Sequence, residues 1–255
     1  MASPPLITLL TDFGAGSGYP AQMKGVILTI CPEALIVDMS NDVQQFDIMA
    51  GALLLDACVR WFPAHAIHVG VVDPGVGTSR RAVCVVDREG RRFIGPDNGL
   101  FTAFLDGARV FQLSKPARFA QWVSATFHGR DLFAPAAAWL ARGGAAEELG
   151  PEIQDPVRVP WPAAEREGQV VSGEVVAADS FGNLVTSIRE ADLGGATPSV
   201  EIAGHDARFV RTYGDGAPGE LLALIGSGGR LEIAIREGSA ARMIGTGVAV
   251  KALLP

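Results

Sequence analysis

Short apolar runs alternate with longer alanine- and leucine-rich stretches over the first 150 residues of the chain. The runs at 6–10, 35–39 and 66–72 have the length and composition of buried strands. The stretches at 20–30 and 46–61 predict helices, because each is long enough and a proline follows its end. Further strands are predicted at 82–87, 92–94 and 110–113, with a short helix ending near residue 105. This alternation predicts an α/β domain whose largely parallel sheet lies between helices.

The pattern changes after residues 150–168, a segment with four prolines and little periodicity. The later segments are short, strand-like and separated by glycine-rich turns, and we predict no helix among them. They are 169–178, 184–188, 199–202, 208–212, 220–225, 231–235 and 248–253. This pattern is typical of a small all-β barrel or sandwich. We therefore predict an N-terminal α/β domain at 1–158, a linker at 159–168 and a β-barrel-like C-terminal domain at 169–255.

Composition narrows the classes of function. The net charge is −7 and no block of lysine or arginine is present, which argues against a nucleic-acid partner. No apolar stretch approaches membrane-spanning length, and the first residues lack the features of a signal peptide. Three widely spaced cysteines suit buried thiols in a reducing compartment better than a disulfide framework or a zinc site. We expect a cytoplasmic protein without a membrane partner.

The candidate chemistry centres on residues 73–81, which we call the central loop. It follows a predicted strand, begins with Asp73 and ends with Arg80 and Arg81. Asp12 follows another predicted strand, so a parallel sheet could present both carboxylates at one edge, where α/β proteins bind ligands. Each carboxylate could equally cap its own loop; the arginines at the other end of the central loop favour a functional role for Asp73.

Three other stretches carry polar groups that could bind a ligand. His128 precedes Gly129 at a predicted helix start, where it could face a ligand; taken alone, this stretch favours a surface residue that caps the helix. We predict Asp131 as the N-cap of a helix at 132–142. Asp179, Phe181 and Asn183 surround one glycine and could either form a simple turn or recognise a purine. The 226–229 loop, which contains Ser227, could hold an anionic group or be an ordinary hairpin loop.

Taken together, six motifs resemble the S-adenosyl-L-methionine (SAM) hydroxide adenosyltransferases, which are adenosine-forming SAM hydrolases related to the SAM-dependent fluorinase and chlorinase. The motifs occur in order over nearly the whole chain. They are Thr11-Asp12-Phe13-Gly14, the central loop, Pro96-Asp97-Asn98-Gly99, Phe127-His128-Gly129-Arg130-Asp131, Phe181-Gly182-Asn183 and Leu231-Glu232-Ile233-Ala234.

This resemblance implies an α/β domain, a β-barrel domain and a homotrimer that binds SAM between one subunit's N-terminal domain and its neighbour's C-terminal domain. SAM is then the substrate, adenosine and L-methionine are the products, and no cofactor or metal is required. The family's catalytic residues fall on Asp73, Arg80 and His128. The substrate-binding residues fall on Asp12, Phe46, Phe127, Asp179, Phe181, Asn183, Ser227 and Glu232.

Several positions depart from the halogenase pattern. Gly129 stands where the halogenases carry a serine, Asp73 stands where they have an uncharged residue, and the fluorinase insertion near residues 87–92 is absent. Gly228 stands where the fluorinase has an arginine, which leaves the anchor of the methionine carboxylate open, with Arg230 as a substitute. The family usually has asparagine where this chain has Arg236.

The expected reaction is attack of water on C5′ of the ribose, with inversion, because the sulfonium is already a good leaving group. His128 is assigned as the general base, with Arg80 stabilising the developing hydroxide and Asp73 orienting the set. Two alternatives stay open at this point. One is a metal-dependent nucleoside or nucleotide hydrolase using Asp12, Asp38 and Asp73, and the other is a non-catalytic sensor of SAM or adenosine.

Overall fold

The computed structural model describes residues 4–115 and 123–255. Contacts divide the chain between Pro160 and Trp161 into an N-terminal unit and a C-terminal unit. Within the described residues, no helix combines the length and the apolar character that a membrane crossing needs.

The N-terminal unit is built on a seven-stranded mixed sheet in the order β2-β1-β3-β5-β4-β6-β7. The three pairings β1–β2, β1–β3 and β3–β5 are parallel, and the remaining pairings are antiparallel. The strands are β1 Leu6–Thr11, β2 Leu35–Ser40, β3 Ile67–Val71, β4 Ala82–Val86, β5 Arg92–Pro96, β6 Arg109–Gln112 and β7 Glu152–Ile153. The predicted α/β class is confirmed, and its parallel half is the part that carries Asp12 and the central loop.

Helices cover both faces of this sheet. The α-helices are α1 Tyr19–Ile30, α2 Ile48–Val59 and α3 Ala134–Ala141, with 3-10 turns at Thr102–Phe104 and Ala146–Glu148. Alternate residues of β1 and β3, such as Ile7 and Val69, join α1 and α3 in one buried core. On the opposite face, Gly51 of α2 lies against Leu10 and Val72, which brings that helix close to the sheet. The strands β1 and β3 are therefore packed between α1 and α3 on one face and α2 on the other.

The C-terminal unit contains a closed seven-stranded β-barrel. The order β10-β14-β13-β12-β11-β15-β9 is closed by pairing of β9 with β10, and β8 adds to β9 outside the ring. The strands are β8 Glu165–Glu167, β9 Val170–Ala178, β10 Leu184–Arg189, β11 Ser199–Ile202, β12 His205–Phe209, β13 Leu221–Ile225, β14 Arg230–Ile235 and β15 Ala249–Leu253. Pairing is antiparallel except between β12 and β13. The predicted barrel is confirmed, and β8 lies within the segment predicted as a linker.

Three expectations about local structure are wrong. The strand β2 is not buried: it is an edge strand, and Leu35 and Val37 are exposed. The C-terminal unit does contain helices, the single turns α4 Glu190–Leu193 and α5 Ala240–Met243. Asp131 is not an N-cap, because it lies inside a π-helical turn, Gly129–Phe133, that precedes α3.

Candidate functional site

The site is built where the parallel strands β1 and β3 end side by side. Thr11 pairs with Val71, and the N–H of Asp12 donates to the Val71 carbonyl at 3.4 Å. The central loop begins two residues after β3. Asp12 and Asp73 therefore leave the same edge of the sheet, as the sequence predicts.

The central loop is a tight turn whose shape requires glycine. Thr78 Oγ1 donates to the Gly75 carbonyl at 2.7 Å, and the N–H of Val76 donates to the Asp73 carbonyl at 3.2 Å. Gly77 has φ +77°, and a Cβ there would lie 2.4 Å from the Ala125 carbonyl oxygen. The loop therefore packs directly on the segment that leads to His128.

Asp73, Arg80 and His128 form one hydrogen-bonded array. Arg80 Nε donates to Asp73 Oδ1 at 2.9 Å and Arg80 Nη2 donates to Asp73 Oδ2, so the pair is bidentate. The other contact of Nη2 is His128 Nδ1, at 2.7 Å. The side chains of Asp73 and Arg80 are only 5% and 9% exposed, so water screens their interaction weakly. The phenyl ring of Phe133 lies 5.3 Å beneath the guanidinium.

The array fixes the proton on the His128 ring. Guanidinium nitrogens only donate, so Nδ1 must be the acceptor and the neutral ring carries its hydrogen on Nε2. Burial, followed by the positive charge of Arg80, lowers the pKa of His128 below its ordinary value; Asp73 and Asp131 act in the opposite direction. His128 is therefore a neutral ring with an N–H on the side turned away from Arg80.

His128 is held in place by the π-helical turn that follows it. Asp131 accepts hydrogen bonds from the Ser124 N–H at 3.0 Å and from Arg130 Nε at 2.6 Å, which lower the pKa of its carboxyl despite its burial. Arg130 in turn lies over the Phe127 ring at 5.0 Å. Asp131 thus ties residues 124–131 together instead of capping a helix, which gives Phe127 and His128 fixed positions.

A cavity of about 220 Å³ opens beside this array. Its wall contains five of the predicted residues: Asp12, Phe46, Asp73, Phe127 and His128. Arg80 does not line the cavity, but it is hydrogen-bonded to Asp73 and His128, which do. The wall also contains seven residues outside the predicted set of site residues, which are Phe13, Tyr19, Gln45, Val71, Val76, Thr126 and Gly129.

Three of these wall residues form an aromatic cluster. The Phe13 and Phe127 ring centroids lie 5.6 Å apart, and Tyr19 lies 5.0 Å from Phe127 and 5.5 Å from Phe13. Tyr19 begins α1 and Phe13 follows β1, so separate elements bring them to the cavity. A sequence signal for Phe13 existed in its motif, whereas Tyr19 and Gln45 had none.

Asp12 and Phe46 both line the cavity and are linked by a hydrogen bond. Asp12 Oδ2 accepts the N–H of Phe46 at 2.9 Å. Phe46 has φ +66°, a conformation that costs a non-glycine residue free energy, and its side chain is 68% exposed. The bond to Asp12 helps to hold this strained residue with its ring at the cavity.

In the C-terminal unit, Asp179 organises a turn between β9 and β10. Its Oδ1 accepts the N–H groups of Phe181 and Asn183, each at 2.9 Å, and its Oδ2 accepts Asn183 Nδ2 at 2.9 Å. The turn leaves the Phe181 ring 80% exposed. Both alternatives for this stretch fit this geometry, since it is a stable turn that also offers an open aromatic face.

Glu232 is a buried carboxylate in β14 that faces the 226–229 loop. It accepts a hydrogen bond from the Tyr213 hydroxyl at 2.7 Å, and burial together with Glu232 raises the pKa of Tyr213. A Cβ at Gly226 would lie 1.8 Å from Glu232 Oε1, so this end of the loop lies directly against the carboxylate. Ser227 follows that glycine. Tyr213 is a further residue that the sequence did not single out.

Arg230 and Arg236 both point to protein carbonyls in this structure. Arg230 is buried and its Nη1 lies 3.4 Å from the carbonyl oxygens of Thr186 and Ser187. Arg236 Nη1 donates to the carbonyls of Gly214, at 3.2 Å, and Gly216.

The carboxylates of the metal-dependent alternative are engaged separately. Asp38 pairs with Lys24 on the exposed edge strand, Asp73 pairs with Arg80, and Asp12 accepts the Phe46 N–H. Among residues 4–115 and 123–255, no group of three or more His, Cys, Asp or Glu side chains is placed to hold a metal ion.

Comparisons with known proteins agree with this architecture. Models of the SAM hydroxide adenosyltransferase N-terminal and C-terminal domains match residues 7–150 and 173–251. A protein of Salinispora tropica named (R)-S-adenosyl-L-methionine hydrolase is 38% identical, with 96% of this chain and 95% of that protein aligned. Its namesake from Thermus thermophilus is 39% identical over 94% of this chain and 95% of its own. A fluorinase of an Actinoplanes species is 28% identical over 74% of this chain and 73% of its own.

The fold has a close counterpart among solved structures. The crystal structure of an uncharacterized conserved protein from Thermotoga maritima superimposes with a TM-score of 0.91 at 32% identity, covering 97% of this chain and 99% of that one. The two domain models match within the two units of this chain, and the Thermotoga maritima structure shares the fold over nearly the whole chain. The chain therefore belongs to the SAM hydroxide adenosyltransferase family.

Proposed function

We propose that this protein hydrolyses SAM to adenosine and L-methionine, with an oxygen nucleophile attacking C5′ of the ribose in line with the departing sulfur. The observation that carries the proposal is the buried Asp73–Arg80–His128 array beside a cavity that also contains Asp12. Membership of the SAM hydroxide adenosyltransferase family gives that geometry its substrate. The relatives' names specify the R configuration at sulfur, and we extend this preference to the present chain.

The reaction needs a positioned nucleophile more than it needs an activated leaving group. Methionine leaves as a neutral thioether, which takes the electron pair of the C5′–S bond, while water supplies the new C5′–O bond and releases one proton. Holding the nucleophile in line behind C5′ can supply up to roughly 7–11 kcal/mol of the barrier reduction. The protein's task is to hold one oxygen and stabilise its developing negative charge.

The proton positions suggest how the array does this. Because Nδ1 of His128 accepts from Arg80, its Nε2–H is a donor to the nucleophilic oxygen. In this arrangement His128 stabilises hydroxide character and the released proton passes to solvent. This differs from the general-base role inferred from the sequence, which would require the ring to give up its bond to Arg80 before Nε2 could accept a proton. Asp73 keeps Arg80 in place and balances its charge.

The substrate-binding assignments complete the proposal. Asp12 binds the ribose hydroxyls through carboxylate oxygens, and Phe46 and Phe127 form apolar walls of the cavity. The cavity volume of about 220 Å³ is below the range of roughly 300–1,000 Å³ usual for small-molecule sites. We propose that a neighbouring subunit's C-terminal domain completes each site in a homotrimer, as the family resemblance implies. The substrate-binding residues that we assign to the neighbouring subunit's C-terminal domain are Asp179, Phe181, Asn183, Ser227 and Glu232.

Two further parts of the proposal concern conditions in the cell. Cys31, Cys58 and Cys84 are free thiols, which supports a cytoplasmic location. We assign no cofactor or metal, with SAM acting as the substrate.

The deciding experiment is incubation with (R)-SAM in H₂¹⁸O followed by mass spectrometry of the nucleoside. Adenosine labelled at its 5′-oxygen, together with methionine, is the expected result. Asp73→Asn should abolish turnover. Asp106→Asn is the matched control, because Asp106 also pairs with an arginine, Arg158, but lies on the surface.

Other outcomes would identify other functions. Tight binding of SAM or adenosine without turnover would indicate a sensor. A 5′-halogenated nucleoside formed at high halide would indicate a halogenase, and loss of turnover on chelation with recovery on adding Mg²⁺ or Ca²⁺ would indicate a metal-dependent enzyme. Each of these would overturn the proposal.

A further inference from the structure

The turn Pro96-Asp97-Asn98-Gly99 begins at the last residue of β5 and lies outside the cavity. Its sequence is one of the motifs that carry the family resemblance, yet none of its residues lines the cavity. The structure places this turn against both ends of the central loop.

The first contact is at the start of the central loop. Asn98 Nδ2 donates to the carbonyl of Val72, the residue directly before Asp73, at 2.8 Å. Asn98 Oδ1 accepts the Leu100 N–H at 3.2 Å, which orients the amide so that its NH₂ group faces Val72. The backbone that leads into Asp73 is therefore tied to the turn.

The second contact is at the end of the central loop. The Asp97 N–H donates to the Arg81 carbonyl at 2.9 Å, and Arg81 Nε donates to Asp97 Oδ2 at 2.8 Å. The carboxylate of Asp97 is only 3% exposed. The same Arg81 carbonyl also accepts Arg80 Nη1 at 3.3 Å. One carbonyl oxygen thus joins the turn to the guanidinium of the catalytic array.

The segment 155–159 supports these contacts from outside. Asp97 Oδ1 accepts the Val157 N–H at 2.8 Å, and Arg81 Nη1 donates to Asp155 Oδ1 at 2.7 Å. A Cβ at Gly99 would lie 2.4 Å from Val159 Cγ1, so the segment packs directly on the turn. Both oxygens of the buried Asp97 carboxylate are used in this arrangement.

We propose that Arg81, Asp97 and Asn98 are positioning residues for the reaction: they clamp the two ends of the central loop and so fix Asp73 and Arg80 relative to His128. The kinetic part of this inference rests on the proposed SAM hydrolysis. The clamp acts through the array and touches no substrate. A loop held at both ends keeps Arg80 within hydrogen-bond distance of His128. If one end is released, Arg80 can shift by about 1 Å, which is enough to lower the rate about 100-fold.

Asp97→Asn tests the clamp with little change of shape. The new amide oxygen can still accept from Val157, but the NH₂ group faces the Arg81 N–H and cannot pair with it. We expect kcat for (R)-SAM to fall about 10- to 100-fold while KM stays within about threefold. In an Arg80→Lys background the same substitution should have almost no further effect. Arg109→Lys serves as the control for loss of a surface arginine network.

A second readout does not depend on turnover. The pKa of His128 is measured by NMR titration. Its ring signal is assigned as the one that is missing from the spectrum of His128→Gln. Arg80, Asp73 and Asp131 are the charged groups that act on this ring. If the clamp holds Arg80 against the ring, Asp97→Asn should raise the His128 pKa towards 6.5, the value of a free histidine. Arg81→Lys should do the same and stands in if Asp97→Asn does not fold.

The two proposals fail in different ways. An unchanged kcat and an unchanged His128 titration in a folded Asp97→Asn protein would overturn the clamp and leave SAM hydrolysis intact. Equal effects of Asp97→Asn with and without Arg80→Lys would also overturn it, since the turn would then act independently of the array. If the wild-type protein does not hydrolyse SAM, the function falls, and the His128 titration alone decides the clamp.

Discussion

At the scale of single residues, the hydrogen bond from Arg80 to His128 has consequences for activity against pH. Burial and the Arg80 charge lower the His128 pKa below 6.5, so the ring is neutral above that pH. Protonation places a hydrogen on Nδ1, which can then no longer accept the hydrogen bond from Arg80. We therefore expect kcat/KM for SAM to be insensitive to this group above pH 6.5 and to fall as the pH drops through the lowered pKa.

The measurement is a profile of kcat/KM from about pH 5 to about pH 8. His128→Asn provides the matched variant, because its amide oxygen can accept from Arg80 but does not titrate. It should lack the acidic limb, whatever its absolute rate. An acidic limb centred above 6.5, or one that persists in His128→Asn, would contradict this account.

His68 makes a separate prediction about stability. It is fully buried, its Nδ1 lies 2.8 Å from Thr8 Oγ1, and its Nε2 has no hydrogen-bond partner in the described parts of the chain. Burial lowers its pKa to about 4. The folded state thus disfavours the charged ring, and stability is lost as the pH falls from 6.5, where the unfolded chain takes up the proton, towards 4. The full loss is on the order of 3 kcal/mol.

Urea denaturation at about pH 7 and at about pH 4.5 measures this loss. His68→Gln cannot titrate, so its free energy of unfolding should fall less between the two pH values than that of the wild type. Equal losses in both proteins would show that His68 does not cause acid destabilisation.

At the scale of elements, glycines show which contacts shape the site. A Cβ at Gly129 would lie 3.1 Å from the Phe127 ring and 3.2 Å from Met23 Sδ. Both neighbours are side chains that can yield, and Phe127 lines the cavity. Gly129→Ala should therefore lower kcat/KM by about 10-fold or more while the free energy of unfolding changes by less than about 2 kcal/mol.

Gly25→Ala is the matched control. Gly25 lies in α1 with open space around its Cβ position, so alanine there should stabilise the protein by roughly 0.5–1 kcal/mol and leave activity unchanged. Thermal unfolding and steady-state kinetics of the two variants make the comparison. Full activity in Gly129→Ala would show that the reaction does not depend on the present position of the Phe127 ring in the cavity wall.

The elements also show which parts of the fold the sequence could predict. Strands such as β1 and β3 are covered on both faces, so they must be continuous apolar runs, and their predicted bounds agree with the structure to one residue. The apolar run of β2 looks the same in sequence, but β2 is an edge strand, because strand order depends on tertiary pairing. The π-helical turn at Gly129–Phe133 also escaped prediction, since it depends on the contacts of Asp131 with Ser124 and Arg130.

The same division applies to the candidate site. Asp73 and Arg80 were predictable as partners because they bracket one tight loop. Tyr19 and Gln45 were not, because α1 and the approach to α2 carry them to the cavity from distant positions. The proposed role of the 96–99 turn could not be predicted from the sequence either, because its contacts with Val72 and Arg81 depend on the pairing of β5 with β3.

At the scale of the whole molecule, the proposed sharing of active sites between subunits can be tested by mixing two defective proteins. Asp73→Asn should disable the proposed catalytic array in the N-terminal unit. Phe181→Ala removes an exposed ring from the C-terminal unit without disturbing a core, and the loss of one base-stacking contact costs about 1–3 kcal/mol. If each site combines one subunit's array with a neighbour's Phe181, some sites in a mixed trimer receive both intact halves.

In a closed ring of three subunits that contains both variants, one site of the three combines an intact array with an intact neighbouring Phe181, so isolated mixed trimers should recover about a third of wild-type kcat/KM. Co-expression with two affinity tags isolates the mixed oligomers for assay at low SAM concentration. Mixing Asp73→Asn with Arg80→Lys is the control, because both defects lie in the same half and every site stays impaired. If mixed oligomers of Asp73→Asn and Phe181→Ala form but recover no activity, Phe181 does not serve a neighbour's site. Recovery in the first mixture and not in the second is explained only by sites that two subunits build together.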